Sequence, residues 1–119
     1  IDSLLHEHVL NNYLIIIKLD IEGNEINAIK GALRTIEQSE PLIIIEFSKY
    51  IFDNQDNINY LKNFLNEYDY AIFDNKNQKK DLSDIINMIR KLKKKYKTIG
   101  NFYLIKKTSN NLKLFLSNE

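Results

Sequence analysis

The segment Ile17-Lys18-Leu19-Asp20-Ile21-Glu22-Gly23-Asn24-Glu25 decides how the rest of the chain is read. It begins inside the β-branched run Tyr13 to Asp20, which is too continuous for a half-exposed strand. Such a run suits a strand covered on both faces, as in parallel sheets. The strand ends in two carboxylates, Asp20 and Glu22, placed two residues apart. In extended backbone, side chains at that spacing point to the same side. Gly23 follows and permits a tight turn or a close approach of backbone to a ligand. From Asn24 to Gln38 the apolar residues Ile26, Ile29, Leu33 and Ile36 recur at three- and four-residue steps, one face of a helix. Glu25 in its first turn suits the positive end of the helix dipole.

The alternation continues downstream. Pro41 precedes a second buried-type strand, Leu42 to Phe47, and a polar stretch from Asp53 leads into a helix carrying Ile58, Leu61, Leu65 and Tyr68. Tyr70 to Phe73 is a third strand, followed by a polar loop from Asp74 to Lys80. Asp81 is placed to cap a third helix with Leu82, Ile85, Ile89 and Leu92 on its inner face. Gly100 ends that region, Phe102 to Ile105 is a fourth strand, and Leu112 to Leu116 alternates like an edge strand. Strands alternating with helices predict an α/β sheet with right-handed crossovers. In open sheets of this kind ligands sit beyond the carboxyl ends of the strands. That rule points at Asp20 to Gly23 and at Glu46 to Ser48.

Composition narrows the chemistry. The chain has 119 residues, one domain's length, with no cysteine. Disulfides, thiolate metal sites and cysteine nucleophiles are thereby excluded. Absence of cysteine suits a reducing compartment, and the expected localisation is cytoplasmic. No apolar run approaches the ~20 residues of a membrane span. Ile, Lys and Asn make up 50 residues, a bias of AT-rich codons that weakens arguments from any single Lys or Asn. The net charge of +1 hides a split: residues 1–75 carry 13 acidic and 5 basic side chains, residues 76–119 carry 3 and 12.

Convergent carboxylates such as Asp20 and Glu22 can bind a divalent cation, orient hydroxyls, or act as a base and its partner. Glu22 and Glu25 equally suit a plain helix start. No metal site is assigned, and the lack of a glycine-rich phosphate loop disfavours a phosphate-handling enzyme. Lys18 is expected to pair with Glu46 on the adjacent strand. His6 and His8, two residues apart, have the wrong spacing for a helical metal pair. The basic cluster Arg90, Lys91, Lys93, Lys94, Lys95 and Lys97 has no interleaved aromatics and no nucleic-acid motif, so no nucleic-acid partner is expected. It reads as a solvated helix end, or, in the alternative view, as the docking end of a non-catalytic α/β binding module for an anionic partner.

These residues carry a resemblance. Ile1-Asp2-Ser3-Leu4, then Ile17 to Glu25, then Ile29-Lys30-Gly31-Ala32 and Pro41-Leu42-Ile43-Ile44-Ile45-Glu46 resemble the signature of the FkbM family of S-adenosylmethionine-dependent methyltransferases. The resemblance implies a class I methyltransferase fold, a Rossmann-like seven-stranded sheet with helices on both faces, with Tyr13–Asp20 as its fourth strand and Leu42–Phe47 as its fifth. It implies S-adenosylmethionine as cofactor and a hydroxyl acceptor on a glycan or other small molecule. It places Asp20 and Glu22 as catalytic residues at the lip of the cleft, and Gly23, Glu25 and Glu46 as substrate contacts. Such enzymes hold the cofactor on a glycine-rich turn after their first strand, whereas the only glycines here are Gly23, Gly31 and Gly100. No cofactor-binding residue is therefore named. Residues 1–119 are expected to be the carboxyl-terminal portion of one methyltransferase domain, with the cofactor-binding first half absent. The opening at Ile1, with Met88 as the only methionine, agrees with that expectation. The strand Tyr13–Asp20 would then be an exposed apolar edge prone to self-association.

Overall fold

The computed structural model describes residues 15–19, 24–92 and 98–108. The described elements are β1 (Ile16–Leu19), α1 (Glu25–Gly31), α2 (Leu33–Ser39), β2 (Leu42–Ser48), α3 (Lys49–Phe52), α4 (Gln55–Glu67), β3 (Tyr70–Phe73), β4 (Lys79–Lys80), α5 (Leu82–Arg90) and β5 (Thr98–Lys106). The architecture is α/β, part of a Rossmann-like sheet. Its strand order is β1-β2-β5-β3-β4. β1 runs parallel to β2 in the register Ile16↔Leu42 to Leu19↔Ile45. β5 lies antiparallel between β2 and β3. The sheet is thus mixed, because the last strand returns into the gap between two earlier ones. β1, β2 and β3 still point the same way, so their carboxyl ends share one edge.

Strand periodicity sorts the side chains. Ile17, Leu19, Ile43, Ile45, Phe47, Tyr70, Ile72, Phe102 and Leu104 stand on one face and join the main core. The buried helix residues Ile26, Ile29, Ile36, Leu61, Phe64, Ile85 and Ile89 join the same cluster. Ala71, Phe73 and Ile105 form a smaller cluster on the opposite face, flanked by Leu42 and Tyr103. Complete coverage of the first strand is not what β1 has. Ile16 is 53% exposed and Lys18 is exposed, while Ile17 and Leu19 are buried. β1 is the terminal strand of the described sheet, and a run of Ile is read as two-sided even where one side meets solvent.

Other expectations need adjusting. The helix from Asn24 to Gln38 is two helices hinged at Ala32, whose N–H donates to the Ile29 carbonyl at 3.0 Å instead of one residue further back. Gly31 precedes the break and weakens helix continuity there. The polar loop after β3 folds back as β4, with Phe73 opposite Lys79 and Ile72 opposite Lys80. Asp74 organises that hairpin: its Oδ1 accepts from the backbone N–H groups of Lys76 and Gln78, both at 2.9 Å. Asn77 adopts a positive φ of 61°, which its residue type tolerates.

β5 begins at Thr98 and therefore contains Gly100, where the sequence suggested a boundary. Between the pairs Glu46↔Asn101 and Ser48↔Thr98, β5 uses one more residue than β2, which makes a bulge. Gly100 lies within it at φ 93°, a conformation that side-chain-bearing residues rarely adopt. The expected third helix is α5. Its N-cap is Asp81, whose N–H donates to Asp84 Oδ2 at 3.1 Å. Of the earlier assignments, Tyr13, Leu14, His6, His8, Lys93 to Lys97 and Leu112 to Leu116 lie outside the described residues.

Tyr70 ties the sheet to the loop before β2. Its buried hydroxyl donates to the Pro41 carbonyl at 2.8 Å. Burial, reinforced by the charge of Glu40, pushes this phenol well above its ordinary value of 10.0. The folded state therefore holds the proton more tightly than the unfolded chain, and this contribution is fully present below pH 10 and lost as pH rises beyond it. Tyr70→Phe is expected to cost about 1 kcal/mol in denaturant titrations at neutral pH. The same variant should lose stability less steeply than the parent chain above pH 10.0. An equal alkaline slope in both proteins would assign the pH response elsewhere.

Candidate functional site

Among the described residues, the shared carboxyl edge carries Leu19, Glu46 and Ser48. Leu19, buried, is the last described residue of β1 before the segment 20–23, and Asn24 is the first after it. Asp20, Glu22 and Gly23 lie outside the described residues. The flanking anchors are well defined. Leu42 N–H donates to the Ile15 carbonyl at 3.0 Å, extending the β1–β2 pairing by one residue, and Ala28 N–H donates to the Asn24 carbonyl at 3.0 Å as α1 begins. Both ends of the motif are thus held by the sheet and by a helix that packs on it.

Glu25 is only 1% exposed. It occupies the first turn of α1, where a carboxylate meets the unpaired N–H groups and positive end of the helix. Glu46 is half-buried on β2 and stands directly across from Asn101 of β5. Glu25 and Glu46 therefore have different surroundings. The former is enclosed at the helix start; the latter sits on the sheet face that also carries Lys18 and Ile44.

The expected ion pair between Lys18 and Glu46 does not form. Ion pairs that do form include Lys80–Asp74 at 3.9 Å, Lys106–Glu40 at 3.5 Å and Lys107–Asp69 at 3.7 Å. Register gives the reason: Lys18 is opposite Ile44, two residues before Glu46, so the two charges are diagonal neighbours with no enforced contact. Among the described residues no group of three or more His, Asp or Glu converges on a point where a metal could sit. No helix among them is long and apolar enough to cross a membrane.

The strand-end rule points at Ser48, but the burial of its hydroxyl is not legible in the sequence. Ser48 ends β2 and is the N-cap of the short α3, yet its side chain makes no capping bond. Ser48 is 4% exposed, and its Oγ has no hydrogen-bond partner among the described residues. A lone serine at a strand end carries no pattern that would reveal this. Next to it, Lys49 Nζ donates to the Leu92 carbonyl at 3.0 Å, tying the end of β2 to the end of α5.

A second concavity lies further along the same edge, between the β3–β4 hairpin, the start of β5 and α5. It has a volume of about 320 Å3, and Asp74, Lys80, Met88, Gly100 and Asn101 help to line it. Neither described glycine forms a cofactor cradle: Gly31 ends a helix and Gly100 sits in a strand bulge.

With this geometry in place, comparison with protein families is informative. The description "Methyltransferase FkbM domain" matches residues 1–72, more than half of the chain. The chain belongs to the FkbM methyltransferase family. The matched span contains β1, β2, Asp20, Glu22, Gly23, Glu25 and Glu46, and reaches into β3. No curated protein and no solved structure matches the chain. The FkbM assignment makes methyltransferase its general class.

The orphaned hydroxyl gives a direct test of this edge. Leaving a buried donor unsatisfied costs about 1–3 kcal/mol, so Ser48→Ala is expected to leave stability unchanged or to raise it by about 1 kcal/mol. Thermal unfolding checks the sign. A clear loss of stability would mean that the hydroxyl is partnered in solution.

Proposed function

We propose that this FkbM domain takes part in S-adenosylmethionine-dependent O-methylation of a hydroxyl on a glycan or other small-molecule acceptor. The observation that carries the reading is the parallel pairing of β1 with β2 inside the family match. Parallel neighbours end at the same edge, so the chain leaving Leu19 toward Asp20 and the end of β2 at Glu46 to Ser48 approach one region of space. In this reading Asp20 accepts a hydrogen bond from the acceptor hydroxyl and takes its proton as the oxygen gains a methyl group. Glu22 binds a neighbouring hydroxyl, and Glu46 contacts the acceptor from β2. Gly23 lets backbone come close to it. Glu25, being enclosed, acts on the acceptor only by holding the start of α1 in position.

S-adenosylmethionine is the methyl donor that the family implies, and its principal contacts lie outside the described residues. Self-association through β1 belongs to the same proposal. It is supported by the strand's place at the end of the described sheet and by the exposed Ile16. The alternative of a non-catalytic module docking an anionic partner gains no specific support. Arg90 and Lys91 are exposed at the carboxyl end of α5, where cations complement the helix dipole without any partner.

In an active FkbM protein containing this domain, Asp20→Asn is expected to lower methyl transfer about 100-fold or more, the usual range for loss of a general base. Cofactor affinity should change little. Full turnover in the variant would remove Asp20 from the chemistry. Calorimetry of S-adenosylmethionine on the 119-residue chain is expected to show weak binding or none. A tight complex would place the cofactor site within these residues.

A further inference from the structure

The cavity between the β3–β4 hairpin and the start of β5 belongs to no part of the family motif. Its lining residues all lie beyond residue 72, where the match ends. Its volume of about 320 Å3 is at the small end of ligand-binding cavities, roughly 300–1,000 Å3, which suits a ligand of sugar size. Its chemistry is specific. Asn75, Gln78 and Asn101 contribute backbone or carboxamide donors and acceptors, Lys76 and Lys80 bring positive charge, and Met88 offers an apolar surface. Met88 is 38% exposed, so part of its side chain is open to contact at the cavity wall.

The charge balance favours an anion. Asp74 is the cavity's one carboxylate, and its Oδ1 is already engaged by two backbone N–H groups. Its Oδ2 is 3.9 Å from Lys80 Nζ, which offsets only one of the two lysines. Lys76 uses its backbone N–H to hold the hairpin, so its side chain is not needed for the turn. Gly100 keeps the wall low: a Cβ there would meet no atom within 4 Å, and φ 93° restricts the position to glycine. The Asp74 hairpin and the β5 bulge thus fix two sides of the cavity independently of any ligand.

Its position relates it to the β1–β2 edge. β1 and β3 are separated by β2 and β5, about 14 Å across at ordinary strand spacing. Asn101 bridges the two regions, since it lines the cavity and is also the cross-strand partner of Glu46. An acceptor that reached from the chain beyond Leu19 to this cavity would be longer than one ring.

We propose that this cavity binds a sugar carrying an acidic group, the remote, recognised part of the acceptor. Carboxamides read hydroxyls, Lys76 and Lys80 hold the acid, and Met88 packs against the ring. Calling this ligand part of the acceptor rests on the O-methylation reading; its binding does not.

Amide spectra of the 15N-labelled chain, titrated with glucuronate, glucose 6-phosphate, glucose and inorganic phosphate, test it without cofactor or methyl transfer. Both acidic sugars or one of them should shift the amides of Lys76, Gln78, Gly100 and Asn101, and which one binds tells a carboxylate from a phosphate ligand. Lys76→Gln, at an exposed position, should weaken that binding by up to about fivefold, the range of an exposed charge contact, and should leave the fold unchanged. Glucose binding as well as either acid, inorganic phosphate binding as well as both, or shifts confined to other regions would each overturn the proposal. Methyl transfer demonstrated alongside silent titrations would sink the cavity alone. Titrations that succeed while Asp20→Asn retains full turnover would sink only the catalytic assignment.

Discussion

The fold depends on β2. It pairs in parallel with β1 on one side and antiparallel with β5 on the other, so both rows of its backbone groups are used. Ile43, Ile45 and Phe47 project into the main core and are wholly buried. Around Phe47 the rings of Phe52 and Phe102 pack at centroid separations of 5.4 and 5.3 Å, joining β2 to α3 and β5. Burial of several large side chains at about 25 cal/mol per Å2 is the main stabilising term available to a chain this short. Displacing β2 would leave β1 without its partner and cut it off from β5, β3 and β4.

This central strand also sets the functional edge. Because β1, β2 and β3 share a direction, the last described residue of β1, the end of β2 and the Asp74 hairpin all lie on one side of the sheet. β5 enters there from the opposite direction and brings Gly100 and Asn101 to the same place. The bulge between the Asn101 and Thr98 pairs is what lets β5 stay in register with β2 while changing its course. One edge thus gathers residues from four strands that are far apart in sequence. The family match covers the first part of that edge, and the hairpin at Asp74 and the bulge at Gly100 follow after residue 72.

Much of this was legible beforehand because hydrophobic periodicity records burial. The Ile26, Ile29 and Ile36 stripe and the Ile85 and Ile89 stripe occupy the core as their spacing suggests, and of the run Leu42 to Phe47 the alternate residues Ile43, Ile45 and Phe47 do so. Asp81 sits at the N-cap of α5 as its residue type predicts. The resemblance of Ile17 to Glu46 to FkbM methyltransferases is matched by the family comparison over residues 1–72. Where reading failed, the missing information was about partners. A run of Ile does not say whether its second face is covered, so Ile16 was expected to be inside. Two charges on neighbouring strands do not say how far the register offsets them, so Lys18 and Glu46 were expected to meet.

The sequence alone determined the alternation of strands and helices, the helix faces, the α5 cap and the methyltransferase motif, because each depends on spacing within a few tens of residues. Tertiary structure decided the rest: β5 inserted antiparallel between β2 and β3, the one-residue bulge at Gly100, the stranded hydroxyl of Ser48 and the cavity beside Asp74. These depend on which strand edge pairs with which, a choice made by non-local hydrogen bonding and packing that no single segment encodes.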